Sequence, residues 1–397
     1  MKILLSAYAC APGRGSEHGV GWNWAVELNK LSHDVHVLTR TKNAAKIASD
    51  NAGDDINFVY YDLPKVIIKL KKVIGTHLYY TLWQYFAYRL LIKKYNKNYF
   101  DVVHHITFVS FRFPTFIYKL GGKFILGPIG GGEEGTPTLI KSLPITYQFL
   151  EYFRIFCNKA NKYNILINTA YKSAHEIYVT TQATYDKIPL KFQCKTKIAP
   201  AIGIDNKHTI SELRNKNEFV ILFAGNLLHW KGIHLAIKVF AYIKDFKSNV
   251  VLKIVGNGPF QKYLVKLVSK LKLSGSVIFI QSIPQDELFK IYQTSDLFLF
   301  PSFHDSGGFV VLEAMAYGLP VICINQGGPS NIVGENSANV INIDNKNINQ
   351  IIQLLATRLK YFIDNPGNIQ CERSFLQCRV LQYSWQNIIN NVYKLEA

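Results

Sequence analysis

The sequence predicts an α/β protein made of two doubly wound, Rossmann-like domains, and three observations support this. Its 397 residues exceed what one ordinary core holds, so two domains of roughly 200 residues each are expected. Short apolar runs alternate with helical patterns in the first half, and the same alternation restarts after residue 200. This βαβα rhythm indicates parallel strands that are covered by helices on both faces.

The predicted first domain, residues 1–203, begins with the strand MKILLSAY and the helical segment GVGWNWAVELNKL. Its other strands are DVHVLTR, INFVYYDL, DVVHHITF, GKFILGPIG and HEIYVTT. The predicted second domain, residues 204–380, opens with EFVILFAGNL and a helix from about Ile233. Its further strands are NVVLKIVG, SVIFIQSI, DLFLFPS and LPVICIN, and its further helices are PFQKYLVKLVSKL, DELFKIYQTS and GFVVLEAMAYG.

Residues 381–397 are predicted to form a terminal helix, because Trp385, Ile389, Val392 and Tyr393 share helical spacing. Ligands of doubly wound sheets bind beyond the carboxyl ends of the strands. Two such domains facing each other would place those ends across a common cleft.

Composition restricts the compartment and the protein class. The six cysteines are scattered without a CxxC pair, so we expect reduced thiols in a cytosolic protein. The first apolar run is short and reaches Pro12 and Gly13, which favours a strand over a signal peptide. No window has the roughly 18 apolar residues that a membrane span needs.

Positive charge is concentrated in the first half of the chain. The net charge is +18, and residues 1–203 hold 26 Lys and Arg against 13 Asp and Glu. Residues 64–100 contain eight basic residues, no acid and many aromatic residues, with Lys65, Lys69 and Lys72 on one side of a possible helix. This segment predicts contact with an anionic membrane surface, although a core helix with a solvated basic side fits equally well. Nucleic acid is not expected as a partner, since no reader motif accompanies the charge.

The glycine-containing turn from Gly13 to Gly21 is the first candidate site. Its unhindered amides and helix start could bind an anion, or its glycines could merely allow a tight turn. Glu17 would repel a phosphate there, so we expect it to face a neutral, hydroxyl-bearing ligand. A dinucleotide dehydrogenase is disfavoured because the glycines run GxGxxxG and the second strand ends in Thr39-Arg40 rather than an acid.

Two further turns predict sites in the second domain. Lys231 follows the strand FVILFA and can reach a phosphate. In HDSGGFVVLEAMAYG, Asp305 lies in a loop and Glu313 lies in the helix that follows. Gly307 and Gly308 would let the backbone approach a phosphate, and Glu313 would bind sugar hydroxyls or an internal partner. The two acids could instead form a glycosidase pair, which is the weaker interpretation.

PSFHDSGGFVVLEAMAYGLPVICINQGGPSNIV resembles the donor-site signature of family 4 retaining glycosyltransferases. SEHGVGWNWA, DVVHHIT, LLHWKG, IVGNGP and the terminal YSW resemble the same family in its usual order, across nearly the whole chain. The resemblance implies a GT-B fold, in which the second domain binds a nucleotide sugar, the first binds the acceptor and the C-terminal helix crosses back to the first.

The resemblance also implies roles for individual residues. Lys231 would bind the diphosphate and Glu313 the donor ribose, and His104 or His105 would lie near the transferred sugar. Asp305 would face the sugar, and Glu17 would lie on the acceptor side. The remaining residues implied in donor binding are Gly19, Gly21, Gly225, Asn226, Ser306, Gly307, Gly308, Phe309 and Val310.

Two positions depart from the family pattern. Asp305 stands where Glu is common, and Asn226 stands where an arginine often helps to neutralise the diphosphate. No Asp-x-Asp motif is found, so we expect metal-independent transfer with the nucleotide sugar as co-substrate and no cofactor.

The function implied is sugar transfer to a glycolipid or lipid-linked oligosaccharide in O-antigen, capsule or exopolysaccharide synthesis, on the inner face of the cytoplasmic membrane. A non-catalytic module that binds sugar nucleotides is the alternative, and Asn226 is the feature that favours it.

Overall fold

The computed structural model describes residues 1–13, 15–205, 218–247 and 249–394. The chain divides into two compact units. The first comprises Met1–Gly132, Phe156–Gly203 and Trp385–Ala397, and the second comprises Glu133–Ile155 and Ile204–Ser384. The grouping differs from the predicted boundaries in that residues 133–155, expected in the first domain, cluster with the second unit. The predicted second domain and terminal helix also include residues 206–217, 248 and 395–397, which lie outside the described residues.

The first unit contains a parallel sheet of seven strands among its described residues, in the order β3-β2-β1-β4-β5-β6-β7. The strands are β1 (Lys2–Ala7), β2 (Asp34–Thr39), β3 (Asn57–Tyr60), β4 (Val102–Thr107), β5 (Lys123–Ile129), β6 (Glu176–Val179) and β7 (Thr196–Ile198). In the central register, Ile3 pairs with Val35 on one side and Val102 on the other. All of these strands except the short edge strand β7 are predicted from the sequence.

Helices connect these strands. They are α1 (Ser16–Lys30), α2 (Ala44–Ile47), α3 (Lys65–Lys94), α4 (Pro137–Lys141), α5 (Ile145–Ala160), α6 (Ile165–Ser173), α7 (Gln182–Tyr185) and α8 (Leu190–Gln193). Short 3-10 turns occupy Thr41–Asn43, Asn51–Gly53, Ile117–Leu120 and Asn161–Tyr163. Helix α4 and α5 as far as Ile155 belong to the second unit.

The second unit repeats the arrangement with six parallel strands among its described residues, in the order β10-β9-β8-β11-β12-β13. They are β8 (Phe219–Ala224), β9 (Val250–Val255), β10 (Val277–Ile280), β11 (Leu297–Phe300), β12 (Val321–Ile324) and β13 (Val340–Ile341). Its helices are α9 (Ile233–Lys244), α10 (Gln261–Lys270), α11 (Gln285–Gln293), α12 (Phe309–Ala316), α13 (Gly327–Val333), α14 (Ile348–Asp364) and α15 (Gly367–Leu381), with a 3-10 turn at His229–Lys231. Both sheets follow the doubly wound 3-2-1-4-5-6 order, so the predicted fold class is confirmed.

The exposure of the side chains of helix α3 changes at Gly75, whose φ of 77° and ψ of 163° are not helical. Before this break, Val66, Leu70 and Val73 are exposed. After it, aromatic side chains such as Trp83 are fully buried against the first sheet. The break therefore separates an exposed apolar and basic segment from the part of α3 that belongs to the core. The side chain of Lys72 lies outside the described part of the chain.

The last helix of the chain, α16 (Trp385–Tyr393), belongs to the first unit. Trp385, Ile389 and Val392 are buried, as their helical spacing predicts. A side chain at Gly203 would lie 2.7 Å from the indole ring of Trp385, so a glycine allows this close approach. Across the residues that the structure describes, we find no helix whose length and hydropathy would suit a membrane span.

Candidate functional site

Lys231 and Asp305 form an ion pair in the second unit. The Nζ atom of Lys231 donates to Oδ2 of Asp305. Both side chains are mostly buried, with 18% and 13% of their surfaces exposed. Nζ also lies 5.3 Å from the centroid of the Phe300 ring at the end of β11. The pair therefore joins two residues that the sequence places in separate turns.

The strand order explains why these turns meet. Strands β8 and β11 are neighbours, with Leu297 opposite Ile221. The turn after β8 and the loop after β11 leave the sheet at the same edge, because the strands are parallel. A Cβ atom at Gly232 would collide with the carbonyl oxygen of Pro301. Gly232 has a φ of 73°, so glycine satisfies both the backbone conformation and the close approach.

Asp305 also organises the glycine loop that follows it. Its Oδ1 accepts hydrogen bonds from the amides of Gly307 and Gly308, at 3.2 Å and 3.1 Å. Burial would raise the pKa of the Asp305 carboxyl, but Lys231 and the two amides outweigh burial and lower that pKa. Asp305 is therefore anionic at neutral pH. The Gly307 and Gly308 amides, which were predicted to bind sugar and phosphates, are bound to Asp305.

The first turn of α12 presents two further predicted amides. Gly308 precedes the helix in a left-handed conformation, with a φ of 67°. The amides of Phe309 and Val310 lie in the first turn, where no carbonyl of the same helix can accept them. Such a helix start is suited to an anion. The half-buried Ser306 lies in the loop immediately before it.

Glu313 is buried in α12, with 4% of its surface exposed. Its Oε1 accepts from Nε2 of Gln285 at 2.7 Å, and its Oε2 accepts from the Tyr292 hydroxyl at 3.2 Å. Burial raises the pKa of Glu313 to about 7, although both hydrogen bonds act in the opposite direction. The sequence left open whether Glu313 binds sugar hydroxyls or an internal partner. The structure shows that it has internal partners. The contact of Glu313 with a donor ribose stays a prediction.

Gly225 and Asn226 lie directly after β8. Gly225 has a φ of 138°, and its amide donates to the carbonyl oxygen of Val255 at 3.0 Å. The Asn226 side chain is exposed. Over the described ranges, no cluster of three or more His, Cys, Asp or Glu side chains could hold a metal ion. Metal-independent transfer stays a prediction.

The remaining predicted residues lie in the first unit. Glu17 is in the first turn of α1, and both of its carboxylate oxygens accept from the Val109 amide at 3.1 Å. Burial raises the pKa of Glu17 to about 7, against the effect of that hydrogen bond. The carboxylate predicted to face an acceptor is therefore attached to the loop that follows β4.

Gly19 and Gly21 are both buried in α1. Gly21 is the sixth residue of the helix and lies beyond the four amides that a helix start leaves unpaired. A Cβ atom there would collide with the carbonyl oxygen of Ala9. Close packing on the segment after β1 accounts for this glycine, and a contact of either glycine with phosphate stays a prediction.

His104 and His105 lie inside β4, with 0% and 1% of their surfaces exposed. Nε2 of His104 donates to the Gly127 carbonyl at 2.5 Å, so its Nδ1 accepts from the Tyr393 hydroxyl at 2.9 Å. Burial lowers the pKa of His104 to about 4 and that of His105 to about 3. Both histidines are therefore neutral core residues of the first unit. A parallel strand covered on both faces buries successive side chains, and the position of either histidine beside a transferred sugar stays a prediction.

Sequence reasoning missed Glu151, a buried residue of α5. Its carboxylate accepts from Nε2 of His229 at 2.7 Å and from Nε2 of His304 at 3.0 Å. Burial would raise the pKa of Glu151, but the two histidine hydrogen bonds lower it to about 2. One signal was available, because Glu151 is the only acid between residues 136 and 175. When such an isolated acid is buried, it must be paired or hydrogen-bonded.

Comparison with known proteins points to sugar transfer. Residues 205–366 match the family model described as glycosyl transferases group 1. An uncharacterized glycosyltransferase of Methanocaldococcus jannaschii is 27% identical over 260 residues, which span 63% of this chain and 61% of that protein. The alpha-monoglucosyldiacylglycerol synthase of Acholeplasma laidlawii is 26% identical over 320 residues, which span 74% of this chain and 73% of that protein. These matches support the glycosyltransferase superfamily.

Solved structures agree on the fold. Anabaena HepE in complex with UDP-glucose superposes with a TM-score of 0.61 at 17% identity, covering 99% of this chain and 98% of that one. With the two Rossmann-like sheets, such neighbours identify a two-domain α/β GT-B fold.

Proposed function

We propose that this chain is a retaining, metal-independent glycosyltransferase of family 4, which moves a sugar from a nucleotide sugar to a glycolipid or lipid-linked oligosaccharide. The observation that carries the proposal is the Lys231–Asp305 pair beside the start of α12, within the segment that matches the family model. A cation, a glycine loop and unpaired amides at one sheet edge are suited to a diphosphate.

The chemistry follows from the charge that develops during transfer. Cleavage of the bond between sugar and diphosphate builds negative charge on the leaving group, and the Lys231 ammonium and the amides of Phe309 and Val310 would stabilise it. Asp305 holds Lys231 in place before the donor arrives. With retention, attack occurs on the face from which the diphosphate leaves, and the leaving phosphate takes the acceptor proton.

The lipid-linked acceptor is supported by the exposed segment of α3. Val66, Leu70 and Val73 are exposed in a stretch that also carries Lys65 and Lys69. An exposed apolar and basic helix suits an anionic lipid surface. The Acholeplasma relative is by name a synthase of a glucosylated diacylglycerol, which accords with a lipid acceptor. We therefore propose a role in surface polysaccharide synthesis, with peripheral association at the inner face of the cytoplasmic membrane.

Donor binding is tested first, by thermal unfolding of the full chain with UDP-, GDP- and dTDP-sugars. A bound donor stabilises the fold in proportion to its occupancy. Transfer from the stabilising donor to extracted lipid acceptors is then measured for wild type and for Lys231→Ala. We expect at least about a tenfold loss of transfer, or about 1.4 kcal/mol, because the leaving diphosphate loses its cation.

The matched control is Lys266→Ala, which removes an exposed lysine of α10. Equal transfer by wild type and Lys231→Ala would refute the role of Lys231. Donor binding without transfer to any acceptor would favour the non-catalytic alternative that Asn226 suggests.

The membrane contact is tested by flotation with anionic vesicles. A variant with Lys65, Lys69, Lys71 and Lys72 changed to Glu is expected to float less than wild type, because four attractive charges become repulsive. Equal recovery of the wild type and this variant would refute the contribution of α3.

A further inference from the structure

Helix α5 exposes a continuous apolar stripe. Ile145, Phe149, Tyr152 and Phe153 are 63%, 70%, 46% and 65% exposed. Their spacing of i, i+4, i+7 and i+8 places them on one face of the helix. Single exposed apolar residues are ordinary, but four large ones on one helix face require an explanation.

The opposite face of α5 is the polar one, and it is directed inward. Glu151 is 1% exposed and hydrogen-bonded to His229 and His304. The ring of Tyr147 lies 4.7 Å from that of His229, and the Arg154 guanidinium donates to the carbonyl oxygen of Glu133 at 2.5 Å. The helix is thus amphipathic, with its polar side chains packed in the second unit and its apolar side chains directed outward.

The charge around this face identifies its partner. Residues 136–175 contain a single acid, Glu151, whose side chain is buried, and four basic residues besides the inward-directed Arg154. Lys141, just before α5, is exposed. Aromatic residues flanked by lysines suit the interface of an anionic bilayer, where the lysine ammonium groups meet the lipid headgroups.

We propose that the outward face of α5 inserts into an anionic membrane surface, with Phe149 and Phe153 as its anchors. This contact is separate from the one proposed for α3 and does not depend on glycosyl transfer. It would hold the second unit at the membrane.

Flotation of the full chain tests this, with vesicles of phosphatidylcholine and phosphatidylglycerol in equal amounts. The Phe149→Glu/Phe153→Glu variant should float about tenfold less than wild type, because charged side chains cannot enter the acyl boundary. Phe149→Trp/Phe153→Trp should float like wild type. The matched control is Val265→Glu, which adds a charge to an exposed apolar position of α10.

Undiminished flotation of the double glutamate variant would overturn the proposal. A second copy of the chain is the competing partner. Light scattering that shows a wild-type dimer and a monomeric glutamate variant would assign the face to that copy and overturn the membrane contact.

The inward face of α5 carries a second, independent inference. Glu151 accepts from His229 and His304, which precede Lys231 by two residues and Asp305 by one. The indole of Trp230 stacks on the His304 ring with centroids 5.3 Å apart. A single carboxylate therefore holds both segments that carry the ion pair. We infer that Glu151 is a positioning residue for Lys231 and Asp305.

The test needs no donor, so it is independent of the proposed function. In Glu151→Gln, the carboxamide oxygen can accept from only one of the two histidine N–H groups, so the other histidine loses its acceptor. We expect faster amide exchange in residues 226–232 and 302–308, and several-fold faster acetylation of Lys231 relative to Lys266. A merely structural change would not single out Lys231.

The control for this inference is Glu372→Gln, which removes another partly buried carboxylate of the second unit, the partner of Arg358. It should leave exchange in both segments and Lys231 acetylation unchanged. Glu151→Asp, which keeps the charge, should restore part of the protection. Unchanged Lys231 acetylation in Glu151→Gln would overturn the inference.

Discussion

The carboxylate of Asp305 binds Lys231 through one oxygen and the amides of Gly307 and Gly308 through the other. One side chain therefore fixes both the cation of the candidate donor site and the conformation of the loop beside it. Any ligand that uses Lys231 meets a cation whose position is already set.

Asp305→Asn should lower the free energy of unfolding by about 1–3 kcal/mol at pH 7, because the amide cannot neutralise the largely buried Lys231. The folded-state pKa of Asp305 is lowered, so its stabilisation is present above the ordinary aspartate pKa and is lost as the pH falls through the folded value. Urea unfolding of both proteins at neutral and acidic pH measures this. A difference that does not shrink in acid would contradict the role of the carboxylate.

Glu313→Gln should separate the structural cost of Glu313 from its proposed part in donor binding. The pKa of Glu313 is raised to about 7, so the folded state keeps a proton that the unfolded state loses above the ordinary value of 4.5. Wild-type stability should therefore fall as the pH rises from 4.5 to 7, by up to roughly 3 kcal/mol from this residue. The glutamine variant should not lose stability in this way, because glutamine has no titrating proton.

Urea unfolding at about pH 5 and about pH 8 measures this difference. The free energy of unfolding of the glutamine variant should rise relative to that of wild type at the higher pH. Its affinity for the donor should nevertheless fall if Glu313 binds the ribose. Asp286→Asn, a change of another acid in the second unit, serves as the control. Unchanged donor affinity would mean that Glu313 serves only its internal partners, Gln285 and Tyr292, and does not bind the donor.

The sequence predicts the parts of this site that depend on local order. The loop after β11, the start of α12 at Phe309 and the lysine turn after β8 all follow from strand, glycine and helix signals close together in the chain. The Lys231–Asp305 pair joins residues 74 positions apart. That pairing depends on which strands become neighbours, and periodicity alone does not contain the strand order.

Glu151 and the two histidines of β4 also have environments that the sequence alone does not predict. Glu151 lies in a helix that the sequence pattern did not predict, and its partners are more than 70 residues away. The histidines lie in a strand that was predicted correctly, and the family resemblance placed one of them near the transferred sugar. Complete burial of β4 on both faces decides their environment, and only the packed sheet shows it.

Gly21→Ala should destabilise the first unit through packing. The new methyl group would collide with the Ala9 carbonyl, and such overpacking costs about 1–3 kcal/mol. Gly367→Ala is the matched control, because that glycine has open space around its Cβ position. Thermal unfolding compares the two variants, and donor affinity measured below the transition should be unchanged in both. A loss of donor affinity at full stability would instead support a phosphate contact at Gly21.

His105→Leu provides the sharpest test of the core position of the β4 histidines. Burial lowers the pKa of His105 to about 3, so between pH 6.5 and about 4 the unfolded state takes up a proton that the folded state does not. Wild type should lose roughly 3 kcal/mol over that range from this residue alone. The leucine variant should lose correspondingly less, because it has no group to protonate.

Urea unfolding at a series of pH values measures how the free energy of unfolding changes with pH. The control is His175→Asn, which replaces an exposed histidine.

The Nδ1 atom of His105 is buried without a hydrogen-bond partner among the described residues, so its replacement by an apolar side chain removes an unsatisfied polar atom. Transfer by the leucine variant should therefore remain within about twofold of wild type. A leucine variant that folds with a flattened pH slope yet transfers no sugar would show that His105 acts in the reaction, because the stability data would already have excluded a folding defect.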